Sequence, residues 1–408
     1  MAMPRSCRVL IAGAGPAGLA TALYLLRQRP ELAGEVVALE RARHPRPKVC
    51  AGGLIPKTML ALEELGLSLD VPAVNVRHGL ARTEIGDVDF REGGVLCTIV
   101  RRDEFDARLA RAAREAGLLI VEDCRALAVQ SDTTGVRVHA SGGDFEAEVL
   151  VGADGSGSRV RDALFGRSRE WVGRALMFDI PVESARAADF ENSTYCFDFT
   201  CVAAGIRGYS WSFPCLIGGR PHLNVGIYDQ CPRDAVDDAR PKARLLEALA
   251  AAFPQIPIPA GGHGGYKAFP IRWYAPQQTF AGARVLLAGD AAGVDPLMGE
   301  GISYAFEHAK LAAQAVDRFL AGNPRALAGY DDALHRGATA RKLRRLLFAA
   351  RRFYGPRHRL YFRLAALNRS AQRIGIDWYN GVDHLDEAPL PSLLAKWAKA
   401  VLLGAPMG

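Results

Sequence analysis

The stretch Cys7-Arg-Val-Leu-Ile-Ala-Gly-Ala-Gly-Pro-Ala-Gly18 decides the fold of this 408-residue chain. Its first half, residues 7–12, is a short apolar run of strand character. Its second half is a G-x-G-x-x-G turn opening a helix that reaches about Arg29. A second apolar run, 35–40 (EVVALE), completes a βαβ unit. In this setting Gly13 turns the chain and Gly15 admits a pyrophosphate against the backbone. Gly18 lets helix and strand pack closely, and the helix N-terminus, with Pro16 and Ala17 in its first turn, faces the phosphates. Glu40 ends the second strand, where a carboxylate accepts from ribose hydroxyls and repels a 2′-phosphate. The resident nucleotide is therefore FAD or NAD rather than NADP.

The same region imitates a secretory signal, since Arg5 and Arg8 precede an uncharged run from 9 to 26. Gly13, Gly15, Pro16 and Gly18 break that run in its first half, and no small-residue cleavage site follows, so it reads as strand–turn–helix.

Far along the chain stands Arg284-Val-Leu-Leu-Ala-Gly-Asp-Ala-Ala-Gly-Val-Asp-Pro-Leu-Met-Gly-Glu-Gly-Ile302. It reads as a buried strand (285–288), a Gly289-Asp290 turn, a Pro/Gly loop and a helix start. One carboxylate and one helix N-terminus delivered to a single spot suit a cofactor with hydroxyls and a developing negative charge.

The net charge of +7 is unevenly spread: residues 335–376 hold twelve Lys/Arg and no Asp or Glu, which leaves about −5 for the rest. The eight cysteines are scattered, with no C-x-x-C pair and no His partners at zinc spacing. That pattern points to reduced thiols in a cytoplasmic protein, with no disulfide framework and no metal site. No convincing transmembrane helix and no nucleic-acid-binding module is read from the chain.

Alternating, turn-rich segments between 74 and 99, a helix at 101–116, and strands near 118–121, 126–130, 136–140 and 145–151 follow the βαβ unit. From 171 to 269 extended aromatic-rich runs (193–202, 209–213, 222–228) surround one helix at 243–252. The expected architecture is α/β: a discontinuous Rossmann-like FAD-binding domain, an inserted mostly antiparallel β-sheet substrate domain and a helical C-terminal region. The expected boundaries are 1–75, 98–170 and 275–330 for the first, 76–97 and 171–274 for the second, and 331–408 for the third.

Gly13 to Gly18 with Glu40, Gly152-Ala-Asp-Gly155 and Gly289-Asp290, in that order, resemble the FAD fingerprint of the p-hydroxybenzoate-hydroxylase-like flavoproteins. Within that fold, Lys48-Val-Cys-Ala-Gly-Gly-Leu-Ile-Pro56, Tyr209-Ser-Trp-Ser-Phe-Pro214 and Pro296-Leu-Met-Gly-Glu-Gly-Ile302 resemble three motifs of the geranylgeranyl reductase family. Cys215 and Ala51 depart from the family pattern. The resemblance implies that Asp290 holds the ribitol chain, that Arg102 reaches the nucleotide part of FAD, and that Asp154 sits near the pyrophosphate. Arg41 beside Glu40, the run Cys50, Ala51 and Gly52, and the loop residues Gly289, Pro296, Gly299, Gly301 and Ile302 complete the implied cofactor contacts.

The implied reaction saturates isoprenoid C=C bonds by hydride transfer from reduced flavin N5 coupled to protonation. The proton goes to the less substituted carbon, which leaves positive charge on the tertiary one. Tyr209, Trp211 and Phe213 would share one face of a strand and offer π faces to that charge. Cys50 is the expected positioning or proton-relay residue, since a thiol is a weak acid for an alkene. Tyr304 is a lesser candidate. The alternatives with the same fold are a monooxygenase and, because Tyr209-Ser-Trp-Ser-Phe-Pro only partly fits the halogenase motif, a halogenase. NAD(P)H or ferredoxin is the expected electron donor. The substrate is lipophilic, and two basic, apolar stretches (341–354 and 393–403) read as interfacial helices for an anionic membrane surface on the cytoplasmic face.

Overall fold

The computed structural model describes residues 5–91, 93–166, 171–182, 188–230, 242–259 and 265–367, with single positions at 372, 377 and 395. Ser6–Ala12 is the centre of an eight-stranded sheet. It pairs in parallel with Val36–Leu39 on one side and Gly143–Gly152 on the other. Leu119–Val121 and Val285–Leu287 extend the parallel order outward, so the strand before Asp290 lies two places from the strand before Gly13. Val9 to Ala12 and Val36–Leu39 are buried throughout, which explains their unbroken apolar runs.

The helix Pro16–Gln28 packs against Ile302–Leu320. Gly18 is required here, since a Cβ on it would stand 2.0 Å from the Gly13 carbonyl oxygen. The turn and loop ends of the parallel strands, at Gly13, Gly152 and Gly289, thereby meet at one edge of the sheet.

A seven-stranded sheet runs in the order Lys267–Arg272, Val172–Pro181, Arg220–Asp229, Gly208–Ile217, Thr194–Asp198, His78–Thr83, Gly86–Arg91. All its pairings are antiparallel except Thr194–Asp198 with His78–Thr83. The period-two alternation divides its faces. Tyr195, Phe197, Tyr209, Trp211, Phe213 and Tyr228 form one cluster, while Leu176, Phe178, Val225 and Ile227 pack with the helix Lys242–Ala252 in another. A three-stranded sheet of Gly53–Leu54, Cys97–Val100 and Ala73–Val76 joins the two.

One local reading differs from the structure. The run 193–202 is not extended throughout: the strand stops at Asp198, whose Oδ1 accepts from the Thr200 amide at 2.9 Å, and Thr200–Val202 forms a 3₁₀ turn. The alternating region 74–99 divides between two sheets: Ala73–Val76 and Cys97–Val100 belong to the three-stranded one, His78–Thr83 and Gly86–Arg91 to the seven-stranded one. The tail begins as three helices, Ala326–Arg336, Ala338–Phe353 and His358–Leu367, and the stretch 393–403, apart from the single position 395, lies outside the described residues. No helix among the described residues is long and apolar enough to cross a membrane.

Candidate functional site

A cavity of about 500 Å³ lies between the two large sheets. At its polar end the glycine turn leaves space: Gly13 has φ +104°, and a Cβ on Gly15 would find only the Arg46 guanidinium, at 3.5 Å. Gly15 itself has an ordinary extended backbone (φ −89°), so what its missing side chain provides is room. Glu40 accepts from the Ala14 and Ala42 amides, each at 3.1 Å, and lies 3.2 Å from Arg46. Across the cavity Asp290 accepts from the Ser156 hydroxyl at 2.8 Å. Gly289, with φ +61°, brings that turn against Ala17, whose Cβ would be 2.7 Å from an added side chain. An open glycine floor at a helix start, a carboxylate at each end and cations along one wall fit the pyrophosphate and hydroxyls of FAD.

Two residues expected at the cofactor have partners within the protein as well. Asp154 Oδ2 accepts from the Arg159 and Val160 amides at 2.6 and 3.2 Å, capping the helix Arg159–Phe165, and burial raises its carboxyl. Arg102 donates to both oxygens of Asp106, at 2.8 and 3.0 Å. Burial works against the Arg102 charge, but Asp106 and a hydrogen bond to the Cys50 sulfur more than offset it. Cys50 also accepts from the Gly52 amide at 3.4 Å. Gly52 holds this approach with φ +81°, since a Cβ there would meet the Val100 carbonyl at 1.9 Å.

Beyond Cys50 the cavity turns apolar. The Trp211 ring occupies the space beside Gly226, its register partner, where a Cβ would stand 2.2 Å from the ring. Its Nε1 donates to Asn224 Oδ1 at 2.8 Å, and Asn224 donates to Asp179 at 2.7 Å. Burial opposes the Asp179 charge, but Lys267, Asn224 and Arg101 hold its carboxyl below the usual range. The indole is thus fixed by a chain of polar contacts.

The 296–301 loop closes the cavity between its two halves. Tyr209 donates to the Met298 carbonyl, Tyr354 to the Leu297 carbonyl at 2.7 Å, and Gln230 to the Pro296 carbonyl at 2.8 Å. Asp295 starts the loop, accepting from the Leu297 and Met298 amides at 2.7 and 3.1 Å, and burial pushes its carboxyl up to about 7. Glu300 turns onto the next helix, accepting from the Ser303 amide at 2.9 Å.

The cavity wall brings together Gly13, Gly15, Pro16, Ala17, Glu40, Arg41, Cys50, Ala51, Gly52, Arg102, Asp154, Tyr209, Trp211, Gly289, Asp290, Gly299, Gly301 and Ile302. Gly18, Pro296 and Tyr304 lie outside it; Tyr304 is buried near His308 and Lys57. Sequence reasoning gave no role to Ser156, Lys48 or Tyr228, which also line the cavity. The Lys48 ammonium lies 3.1 Å from the centroid of the Phe269 ring, and burial lowers its pKa to about 8. Lys48 stands in the K-x-C motif, which was its available signal, whereas nothing around Tyr228 marks it.

The chain is similar to known proteins. A menaquinone reductase of Mycobacterium tuberculosis is 29% identical over 340 residues, 78% of each chain. A digeranylgeranylglycerophospholipid reductase of Methanoculleus marisnigri is 29% identical over 357 residues, 81% of this chain and 82% of that one. In structure, a geranylgeranyl bacteriochlorophyll reductase-like protein from Thermoplasma acidophilum covers 97% of this chain and 96% of its own, at TM-score 0.73 and 19% identity. A flavin-dependent brominase covers 98% and 100% at TM-score 0.72 and 18% identity, so these two likenesses speak for the fold. Residues 6–342 match the FAD binding domain family, and the chain belongs to that family as an FAD-dependent oxidoreductase with geranylgeranyl reductase-like relatives.

Proposed function

We propose that the protein saturates C=C bonds in the polyprenyl chain of a lipophilic substrate. The observation that carries this reading is the continuity of the cavity, from the Gly15 and Asp290 cradle past Cys50 to the aromatic wall of Phe197, Tyr209, Trp211 and Phe213. When bound in the cradle, reduced FAD supplies the hydride. The protein's own groups do the rest. Gly15 and the helix start at Pro16 receive the pyrophosphate, Asp290 and Glu40 accept from hydroxyls, and the 296–301 loop offers backbone N–H groups to negative charge. The apolar walls exclude water, and the ring faces favour the positive charge that an isoprene carbon develops as it is protonated. Arg102 and the Gly52 amide hold the Cys50 sulfur at the junction of the two halves.

The relatives' names point the same way. Menaquinone, digeranylgeranylglycerophospholipid and geranylgeranyl diphosphate differ in head group and share a polyprenyl chain. In this reading the FAD-binding part comprises 1–75, 98–170 and 275–330, the substrate part 76–97 and 171–274, and the helical part 331–408. NAD(P)H or a ferredoxin supplies the electrons, and Arg341, Arg344 and Arg351 face an anionic membrane surface.

The test is to incubate the holoprotein, reduced with dithionite under argon, with geranylgeranyl diphosphate and with a digeranylgeranyl phospholipid, and to weigh the products. A gain of two hydrogens per double bond is expected. Oxygen incorporated from air by the same protein, without such a gain, would replace this reading with a monooxygenase.

A further inference from the structure

The attitude of the Trp211 ring is set by two residues outside the cavity wall. The indole N–H donates to Asn224 Oδ1 at 2.8 Å, and Asn224, itself 1% exposed, stands opposite Asp179 in the sheet register. Neither Asn224 nor Asp179 lines the cavity. An amide fits one place with either its oxygen or its nitrogen forward, so a second contact must choose between them. An ionised carboxylate only accepts, and Asp179 Oδ1 takes an N–H of Asn224 at 2.7 Å. The Asn224 oxygen is left facing the indole.

Asp179 is in turn held from two sides. Lys267 Nζ lies 2.7 Å from Oδ2, and Arg101 Nη1 lies 3.3 Å from both oxygens. Burial opposes the charge of Asp179, yet these cations and Asn224 keep the carboxyl ionised. Lys267 belongs to the edge strand of the seven-stranded sheet, and Arg101 immediately precedes the helix Arg102–Glu115, whose first residue lines the cavity. Along its own strand Asp179 follows Ala175 and Met177 on one face, and both of those are in the cavity wall. An apolar side chain would continue that face without the cost of drawing a charge out of water. The carboxylate instead joins the aromatic wall to the helix that carries Arg102.

We infer that Asp179 is a positioning residue for the proposed reduction, acting through Asn224 to fix the plane of the Trp211 ring; the inference rests on the reductase reading above. A ring attracts a cation with its face and not with its edge, so its plane matters. The positive charge exists only while the alkene is being protonated. Asp179 therefore acts on turnover rather than on substrate binding.

The test compares wild type with Asp179→Asn as holoproteins, each with and without Trp211→Phe, using geranylgeranyl diphosphate under argon. Asparagine at 179 keeps the shape but donates as readily as it accepts, so it no longer chooses the orientation of Asn224. The kcat for bond saturation should fall about five- to tenfold, with KM within about threefold. In the Trp211→Phe background the same substitution should change kcat by less than about twofold, because the N–H through which Asp179 acts is gone. An unchanged kcat, or an equal loss in both backgrounds, overturns the assignment. Asn224→Leu removes the same link without disturbing the charges and should reproduce the loss; it decides the matter if Asp179→Asn does not fold. A second readout needs no turnover. In protein labelled with nitrogen-15 tryptophan, the Nε1–H resonance missing from Trp211→Phe should move and exchange faster in Asp179→Asn, and an unmoved resonance overturns the inference. If wild type saturates no bond while that resonance moves, the reductase reading fails and the positioning of the indole stands.

Discussion

Gly15 and Asp290 both line the cavity, and in the proposed cofactor cradle each makes a separate demand. Because the Gly15 backbone suits any residue, Gly15→Val should leave the fold intact and fill the phosphate space. FAD affinity should drop at least tenfold, about 1.4 kcal/mol, with the melting temperature of the FAD-free protein unchanged. Lys48 gives a prediction in pH. Its folded-state pKa is lowered to about 8, so without a ligand it loses its charge as pH rises through that value. An anionic cofactor favours the charged form, so FAD binding should weaken as pH climbs through about 8, and Lys48→Met should flatten that dependence in a fluorescence titration. At this scale the sequence was informative wherever the chemistry is local. Gly13 to Gly18, Glu40 and Asp290 stand at fixed distances from strands that could be read directly. The Arg102–Asp106 pair is announced by its spacing of four on one helix, whereas the Ser156 hydroxyl that meets Asp290 is brought there by another element, and no spacing announces that.

At the scale of elements, the 296–301 loop and the tail helix Ala338–Phe353 behave differently from their sequence appearance. The loop is keyed from below by Asp295, whose carboxyl is raised from 3.8 to about 7 by burial. A raised acid favours the folded state in its protonated form, so its contribution to stability is full below 3.8 and is lost as pH rises through about 7. Chemical denaturation of Asp295→Asn across that window should show a flatter pH dependence than wild type; identical slopes would contradict this. The tail helix looks amphipathic and interfacial in sequence, yet Leu343, Leu346, Leu347 and Ala350 are buried against the protein. Leu343→Ala should therefore cost about 2–5 kcal/mol in stability, as a core truncation does. What remains outside is charge: Arg341, Arg344 and Arg351 are exposed. Replacing all three by Gln should abolish co-sedimentation with phosphatidylglycerol vesicles, and equal sedimentation of both proteins would refute the membrane contact. Periodicity found this helix but could not tell which of its faces a neighbour covers.

Across the whole molecule, a chain that leaves its parallel sheet after Gly152 and returns at Val285 places an aromatic sheet over a glycine-rich cradle. The parallel sheet was legible from end to end because its strands are continuous apolar runs punctuated by glycine. The seven-stranded sheet was legible only in part. Val172–Pro181 and Lys267–Arg272 carry mixed sequences whose partners lie far along the chain, and the register that sets Trp211 over Gly226 is a property of the pair. That register matters most for function, because it puts the aromatic wall beside Cys50 and the loop at Gly299. The central claim is that this arrangement passes two electrons to an unactivated prenyl bond. It is tested most directly by mixing the dithionite-free reduced holoprotein with geranylgeranyl diphosphate under argon while following flavin absorbance and product together. Flavin should reoxidise without oxygen, with one bond saturated for each flavin oxidised. Flavin that stays reduced until air is admitted, with the prenyl chain unchanged, would contradict the account.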